Sequence, residues 1–255
     1  MLDLELYEEM VRLTRMGEAF ALATVVASNG SAPRKAGAKM LVRNDGSFLG
    51  TVGGGRVEKE SVEAALTALM DEPPRNLEFV LTAENGFACG GSMSVYIEPQ
   101  GRRPLLVMFG AGHVGRAVTA LAHSCGFRVV VVDERPECAT DELLPDADLI
   151  ICRPVLDAFA RLQFGPDEFV IIATPGHLSD FDTVRGCLTT TVGFIGLLGS
   201  RRKKETLLKT LEDEGFDPSQ RARVVTPVGL DIGAQTPEEI AVSIVGQLIA
   251  RRKGK

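Results

Sequence analysis

The chain has 255 residues, 45% hydrophobic and 24% charged, the balance of a globular protein long enough for one large core or two smaller ones. Its 28 basic and 34 acidic residues leave a net charge of −6, which argues against a general nucleic-acid or membrane-surface binder. No apolar run approaches the roughly 20 residues of a membrane span, and the acidic start MLDLELYEEM does not read as a signal peptide, so the cytoplasm is the expected location.

In chain order, Leu2, Leu6, Met10 and Leu13 mark one face of a first helix that Gly17 stops. Phe20 to Ala27 reads as a strand, followed by a loop from Ser28 to Gly37 rich in residues that break regular structure. Lys39 to Arg43 and Ser47 to Val52 flank Asn44-Asp45-Gly46, a hairpin signal. Gly53-Gly54-Gly55 then precedes a helix that Pro73-Pro74 closes off. Leu77 to Leu81 and Ser94 to Ile97 complete the strands of an α+β domain at residues 1–100, and Pro99 to Pro104 reads as a linker.

Residues 101–255 alternate differently. Leu105 to Phe109 is an apolar run too short for a helix. Gly110-Ala-Gly112-His113-Val-Gly115 follows, then an amphipathic run carrying Val118, Leu121 and Ala122, then Val129 to Val132 closed by Asp133. Strand, glycine turn, helix, strand and acid is the opening unit of a dinucleotide-binding, Rossmann-type fold. Gly110 permits the tight turn, Gly112 admits a pyrophosphate, Gly115 lets helix and strand pack, and Asp133 stands where a carboxylate meets a ribose hydroxyl. An unoccupied scaffold has the same pattern. Asp148 to Cys152, Phe169 to Thr174 and Val192 to Leu197 suit further parallel strands, with helices around Val155 to Leu162 and Phe181 to Leu188. Ser200 caps a basic helix, and Thr236-Pro-Glu-Glu239 opens the last one with a capping box. The fold class is therefore α/β, a Rossmann-type parallel sheet preceded by a smaller α+β domain.

Several stretches can carry chemistry. Three successive glycines at 53–55 expose amides that suit an anion, with Arg34, Lys35 and Arg56 as added charge and Glu58 in the helix's first turn. A tight connection with solvated cations reads equally well. Of five cysteines, at 89, 125, 138, 152 and 187, none has CxxC spacing, so reduced thiols are expected. Cys89, followed by Gly90 and Gly91, is the candidate for a soft metal or sulfur ligand, or else a half-exposed loop residue with no role; the other four read as buried structural thiols. His177, after the fourth strand of the parallel sheet, stands at its ligand-binding edge, with Asp180 or Asp182 to orient it; a satisfied structural histidine reads equally well. His113 caps the glycine turn or faces the crevice. Ser200 and Arg201 start a helix at the same edge and form a second anion site, or an ordinary cap.

These motifs carry a resemblance. Gly30-Ser31-Ala-Pro33-Arg34, Gly37-Ala-Lys-Met40, Gly53-Gly54-Gly55 with Glu58, and Cys89-Gly-Gly91 stand in order in the first half; Phe109 to Gly115, Val132 to Pro136, Gly196 to Arg202, Gly229 to Gly233 and Thr236 to Glu239 in the second. The chain resembles the xanthine dehydrogenase accessory factor (XdhC/CoxI) family along nearly its whole length. The resemblance implies a maturation factor that binds molybdenum cofactor, supports its sulfuration by a cysteine desulfurase and delivers it to an apo molybdenum hydroxylase. It leaves open whether the Rossmann half binds NAD(H) or another nucleotide. It departs from the family at Arg56, where many relatives carry cysteine. A homodimer is expected, since carriers serving dimeric clients are often dimers. The competing readings are an NAD-dependent oxidoreductase with His177 as acid or base, and a nucleotide-sensing Rossmann protein.

Overall fold

The computed structural model describes residues 3–70, 73–82, 90–162 and 164–252, with only the backbone of Asp3 and His177. The chain divides into two compact units, Met1–Arg103 and Pro104–Lys255.

The first unit runs α1 (Asp3–Met16), β1 (Phe20–Gly30), β2 (Lys39–Arg43), β3 (Phe48–Gly50), α2 (Gly55–Ala68), β4 (Arg75–Val80) and β5 (Gly91–Gln100). Its five strands form an antiparallel sheet in the order β3-β2-β1-β5-β4. Alternation along the strands separates two cores. Ala21, Ala23, Val25, Met40, Val42, Met93, Val95 and Ile97 face α2, whose Val57, Ala65 and Ala68 cover them. Phe20 and Leu41 point the other way, onto Leu6 and Leu13 of α1. The hairpin turns at Gly46 (φ +81°), with the Asp45 carboxylate accepting from the Ser47 amide at 2.9 Å.

Two strands outrun their sequence limits. β1 continues past Ala27 because a bulge at Val26 resets the register, so that Ala27 to Gly30 pair with Ser94 to Gly91. β5 takes in Pro99 and Gln100 from the expected linker. Beyond Ile97 no residue of β4 pairs with it, so a proline lacking N–H is tolerated there.

The second unit runs β6 (Leu105–Phe109), α3 (His113–Ser124), β7 (Arg128–Asp133), β8 (Leu149–Cys152), α4 (Val155–Phe159), β9 (Phe169–Ile172), α5 (His177–Leu188), β10 (Phe194–Leu197), α6 (Arg201–Asp213), α7 (Pro218–Ala222), β11 (Val224–Val225) and α8 (Pro237–Arg252). All six strands are parallel, in the order β11-β10-β9-β6-β7-β8. Strand order reverses between β6 and β9, the switch point outside whose carboxyl ends such folds bind ligands. Val107, Phe109, Val130 and Ile172 face α4, α5 and α6, while Leu106, Met108, Val131 and Ile171 face α3 and α8. Burial on both faces explains why these strands read as unbroken apolar runs.

The caps hold as read: the Lys203 amide donates to Ser200 Oγ at 3.3 Å, and Thr236 and Glu239 exchange side-chain to backbone bonds at 3.2 and 3.1 Å. α4 stops three residues before Leu162, and α5 starts four before Phe181. α7 and the two-residue β11 carry too little periodicity to be read from sequence. No helix among the described residues is long and apolar enough to cross a membrane.

Candidate functional site

Three glycine-rich segments meet at one end of the N-terminal sheet. Pro33 lies against Gly53, where a Cβ would come within 2.9 Å of its ring, so the loop carrying exposed Arg34 and Lys35 borders the glycine turn. On the other side the Ser31 amide donates to Gly90 O at 3.0 Å, and a Cβ on Gly91 would lie 2.4 Å from Asn29 O. The segment following Cys89 is thus laid along the start of the same loop; Cys89 itself lies outside the described residues. Backbone contact this close admits only glycine.

The turn between them is open. α2 starts from Gly54 with no side-chain cap, and a Cβ on Gly54 or Gly55 would meet nothing within 4 Å. The first turn thus lacks a side-chain partner and has room beside its glycines, at the helix's positive end. Glu58 does not point a bare charge there: it accepts from the Thr51 hydroxyl, which in turn accepts from the Gly53 amide at 3.2 Å. Arg56 turns back along the helix to Glu60.

In the second unit two glycines of the turn take the structural roles read for them. Gly110 (φ +106°) is wedged between strands: its amide donates to Val132 O at 2.8 Å, and a Cβ there would lie 2.2 Å from Ala173 O. Gly115 packs on Gly110, whose carbonyl oxygen would be 1.9 Å from a Cβ. Gly112, the uncapped N-cap of α3, has nothing within 4 Å. Two glycines close the structure and the third leaves the loop open to a ligand. His113 is exposed and borders, with Arg116, a groove between α3, the 142–146 segment and α8.

Asp133 ends β7 beside the glycine turn and is engaged there. It is 5% exposed, accepts from the Ala111 amide at 2.6 Å, and takes Nε and Nη2 of Arg135 at 2.9 and 2.6 Å. Burial by itself would raise its pKa; the Arg135 guanidinium and the amides of Ala111 and Arg135 outweigh that and hold it below the ordinary value. Asp133 thus ties the glycine turn to the end of β7, and Arg135 stands beside that turn.

At the ends of β9 and β10 a buried ion pair joins two loops. Asp180, 1% exposed, accepts from the Thr174 amide at 3.1 Å and its hydroxyl at 2.7 Å, and takes Lys203 Nζ on its other oxygen. Lys203 also donates to Leu198 O at 2.9 Å. Asp182 pairs with Arg185 at 2.8 Å. Both carboxylates read as orienting His177 are thus engaged with other partners. His177 starts α5, and Ser200 and Arg201 start α6 on the neighbouring strand; both latter side chains are exposed. Among the described residues no three of His, Cys, Asp and Glu gather as a metal site.

The model of the XdhC and CoxI family matches residues 13–80, and that of the XdhC Rossmann domain matches residues 106–248, more than half of the chain. The chain belongs to the XdhC and CoxI family. It is 38% identical over 251 residues to YqeB of Escherichia coli K12, an alignment covering 96% of this chain and 46% of that protein, so the chain spans less than half of YqeB's length. It is 23% identical over 269 residues to the molybdenum cofactor insertion chaperone PaoD of Escherichia coli K12, covering 92% of this chain and 84% of PaoD. A crystal structure described as a xanthine dehydrogenase from Bacillus halodurans is 26% identical, covers 100% of this chain and 97% of its own, and superposes with a TM-score of 0.56.

Within this XdhC-type chain the structure adds residues that sequence reasoning passed over. Arg135 and Lys203 each hold a buried carboxylate of the sheet edge; a cation two residues after Asp133 was a legible signal for the first, whereas Lys203 was hidden among four basic residues. The expectation for the cysteines needs correction. Cys187 is buried, but Cys125 and Cys138 are half-buried and Cys152 is exposed. Cys152 ends β8 in register with Asp133, but β8 is the edge strand of the sheet, where Leu149 and Cys152 are exposed and Ile151 alone is buried.

Proposed function

We propose that the chain is a maturation factor for molybdenum hydroxylases, which holds molybdenum cofactor at the end of its N-terminal sheet and passes it to an apo-enzyme. The observation that carries this reading is that the 30–37 loop is bordered on one side by the 53–55 turn, where α2 starts without a side-chain cap, and on the other by Gly90-Gly91. Belonging to the XdhC and CoxI family supports it, as do the names of PaoD and of the Bacillus halodurans protein.

The residues fit the group. Gly54 and Gly55 with Arg34 and Lys35 offer a phosphate the donors and positive charge it needs. Thr51 and Glu58 brace the turn from behind. Cys89, next to Gly90, supplies a soft donor of the kind that suits molybdenum or its sulfur. When bound, the cofactor supplies a redox-active molybdenum centre for the client; the chain's part is to hold, shield and release it. A cysteine desulfurase is the expected donor of sulfur, an apo molybdenum hydroxylase the receiver, and the cytoplasm the place of exchange.

The second unit supports a companion proposal, that NAD(H) or another nucleotide lies over Gly112, with His113, His177, Ser200 and Arg201 along the same sheet edge. An oxidoreductase with His177 as base is less well supported, because Asp180 and Asp182 are bonded elsewhere.

The test is molybdenum and pterin content after anaerobic incubation with free cofactor. The parent should take up cofactor near one equivalent, and Arg34→Glu/Lys35→Glu should lose most of it with an unchanged thermal melt, since both side chains are exposed. No uptake by the parent would overturn the carrier reading, and tight nicotinamide dinucleotide binding in its place would favour a sensor or enzyme.

A further inference from the structure

Helix α1 has two apolar faces. Leu6 and Leu13 enter the N-terminal core, but Leu4, Tyr7 and Val11 lie on the opposite side, 60%, 45% and 49% exposed. At 3.6 residues per turn these three form one stripe. The outward face of a surface helix is ordinarily polar, so a stripe of this kind marks a contact.

Charge along one flank of the stripe says what makes that contact. Glu5 and Glu8 lie toward the N-terminal end, Arg12 and Arg15 toward the C-terminal end, and all four are exposed. Acid first and base last also suits the helix dipole, which accounts for the charges but not for the apolar stripe beside them. We propose that α1 is the contact between two copies of this chain, packed antiparallel about a two-fold axis. A two-fold axis perpendicular to the helices brings the same flank of each copy together, reversed end for end. Glu5 and Glu8 of one copy then face Arg12 and Arg15 of the other, while Tyr7 packs against Val11. A parallel pair about a two-fold along the helices would instead set this flank against the opposite one, away from its own charges. A one-helix contact is small, so the dimer is a reversible one. It does not depend on the cofactor reading.

Sedimentation equilibrium of the full chain across the micromolar range tests this. The parent should show a monomer–dimer equilibrium. Val11→Asp should weaken it about tenfold or more, with an unchanged thermal melt because Val11 lies outside the core. Glu5→Arg/Glu8→Arg and Arg12→Glu/Arg15→Glu should each self-associate poorly and form a dimer when mixed in equal amounts, because every facing pair is then opposite in sign. A parent that stays monomeric would overturn the proposal and leave the stripe to the C-terminal unit or another protein. A dimer indifferent to Val11→Asp, or charge variants that fail to pair on mixing, would overturn it equally.

Discussion

The guanidinium of Arg135 grips the carboxylate of Asp133 through two nitrogens, at 2.9 and 2.6 Å, while the same carboxylate accepts the Ala111 amide of the glycine turn. Arg135→Leu leaves that buried charge without its cation. The expected loss is about 2 kcal/mol, below the figure for a fully buried pair because the Arg135 side chain is 32% exposed. The sign of its pH dependence follows from the lowered pKa. Asp133 stabilises the fold above its ordinary value of 3.8, and this contribution is lost as pH falls through the lower folded value. Urea midpoints from pH 7 to pH 3 should fall less steeply for Asp133→Asn than for the parent; parallel curves would refute the assignment.

Gly112 and Gly115 separate binding from folding. Alanine at Gly115 would put a methyl 1.9 Å from Gly110 O and force α3 off β6, at a cost on the order of 3 kcal/mol or more. Alanine at Gly112 meets nothing within 4 Å, and its φ of −71° suits an L residue, so the cost should stay under about 1 kcal/mol. Titration of Gly112→Ala with a nicotinamide dinucleotide should show weakened binding in a protein that melts normally. Unchanged affinity would remove the nucleotide from this loop.

Lys203 and Asp180 form the most enclosed ion pair of the sheet edge, their side chains 12% and 1% exposed. Lys203→Met strands the Asp180 carboxylate and should cost about 3 kcal/mol or more in urea unfolding. Adding Asp180→Asn should recover part of that loss, since a neutral amide is cheaper to bury than an unpaired carboxylate. A double variant no more stable than Lys203→Met would mean that the lysine acts through packing alone.

The thiols should sort by burial. Cys187 is enclosed, and burial pushes its pKa up to about 12, so it should resist alkylation in the native state. Cys152 is exposed and should label within minutes at neutral pH. Mass mapping after brief maleimide treatment distinguishes them; prompt labelling of Cys187 would mean that α5 opens readily.

Sequence alone determined the parts whose signals are local. The apolar runs from Leu105 to Phe109 and Val129 to Val132, the packing glycines at 110 and 115, and the caps at Ser200 and Thr236 all hold, because strand burial, turn sterics and helix termini depend on residues a few positions apart. Tertiary structure alone decided which partners each charge and each loop takes. Asp133 reads from sequence as a ribose acceptor and Asp180 as a partner for His177, yet each carboxylate binds the nearest cation and amide that folding delivers, since a buried charge cannot wait unpaired for a ligand. Gly30 and Gly90 become neighbours only through a bulge in β1 and the antiparallel return of β5, a contact between residues sixty positions apart that no local pattern encodes.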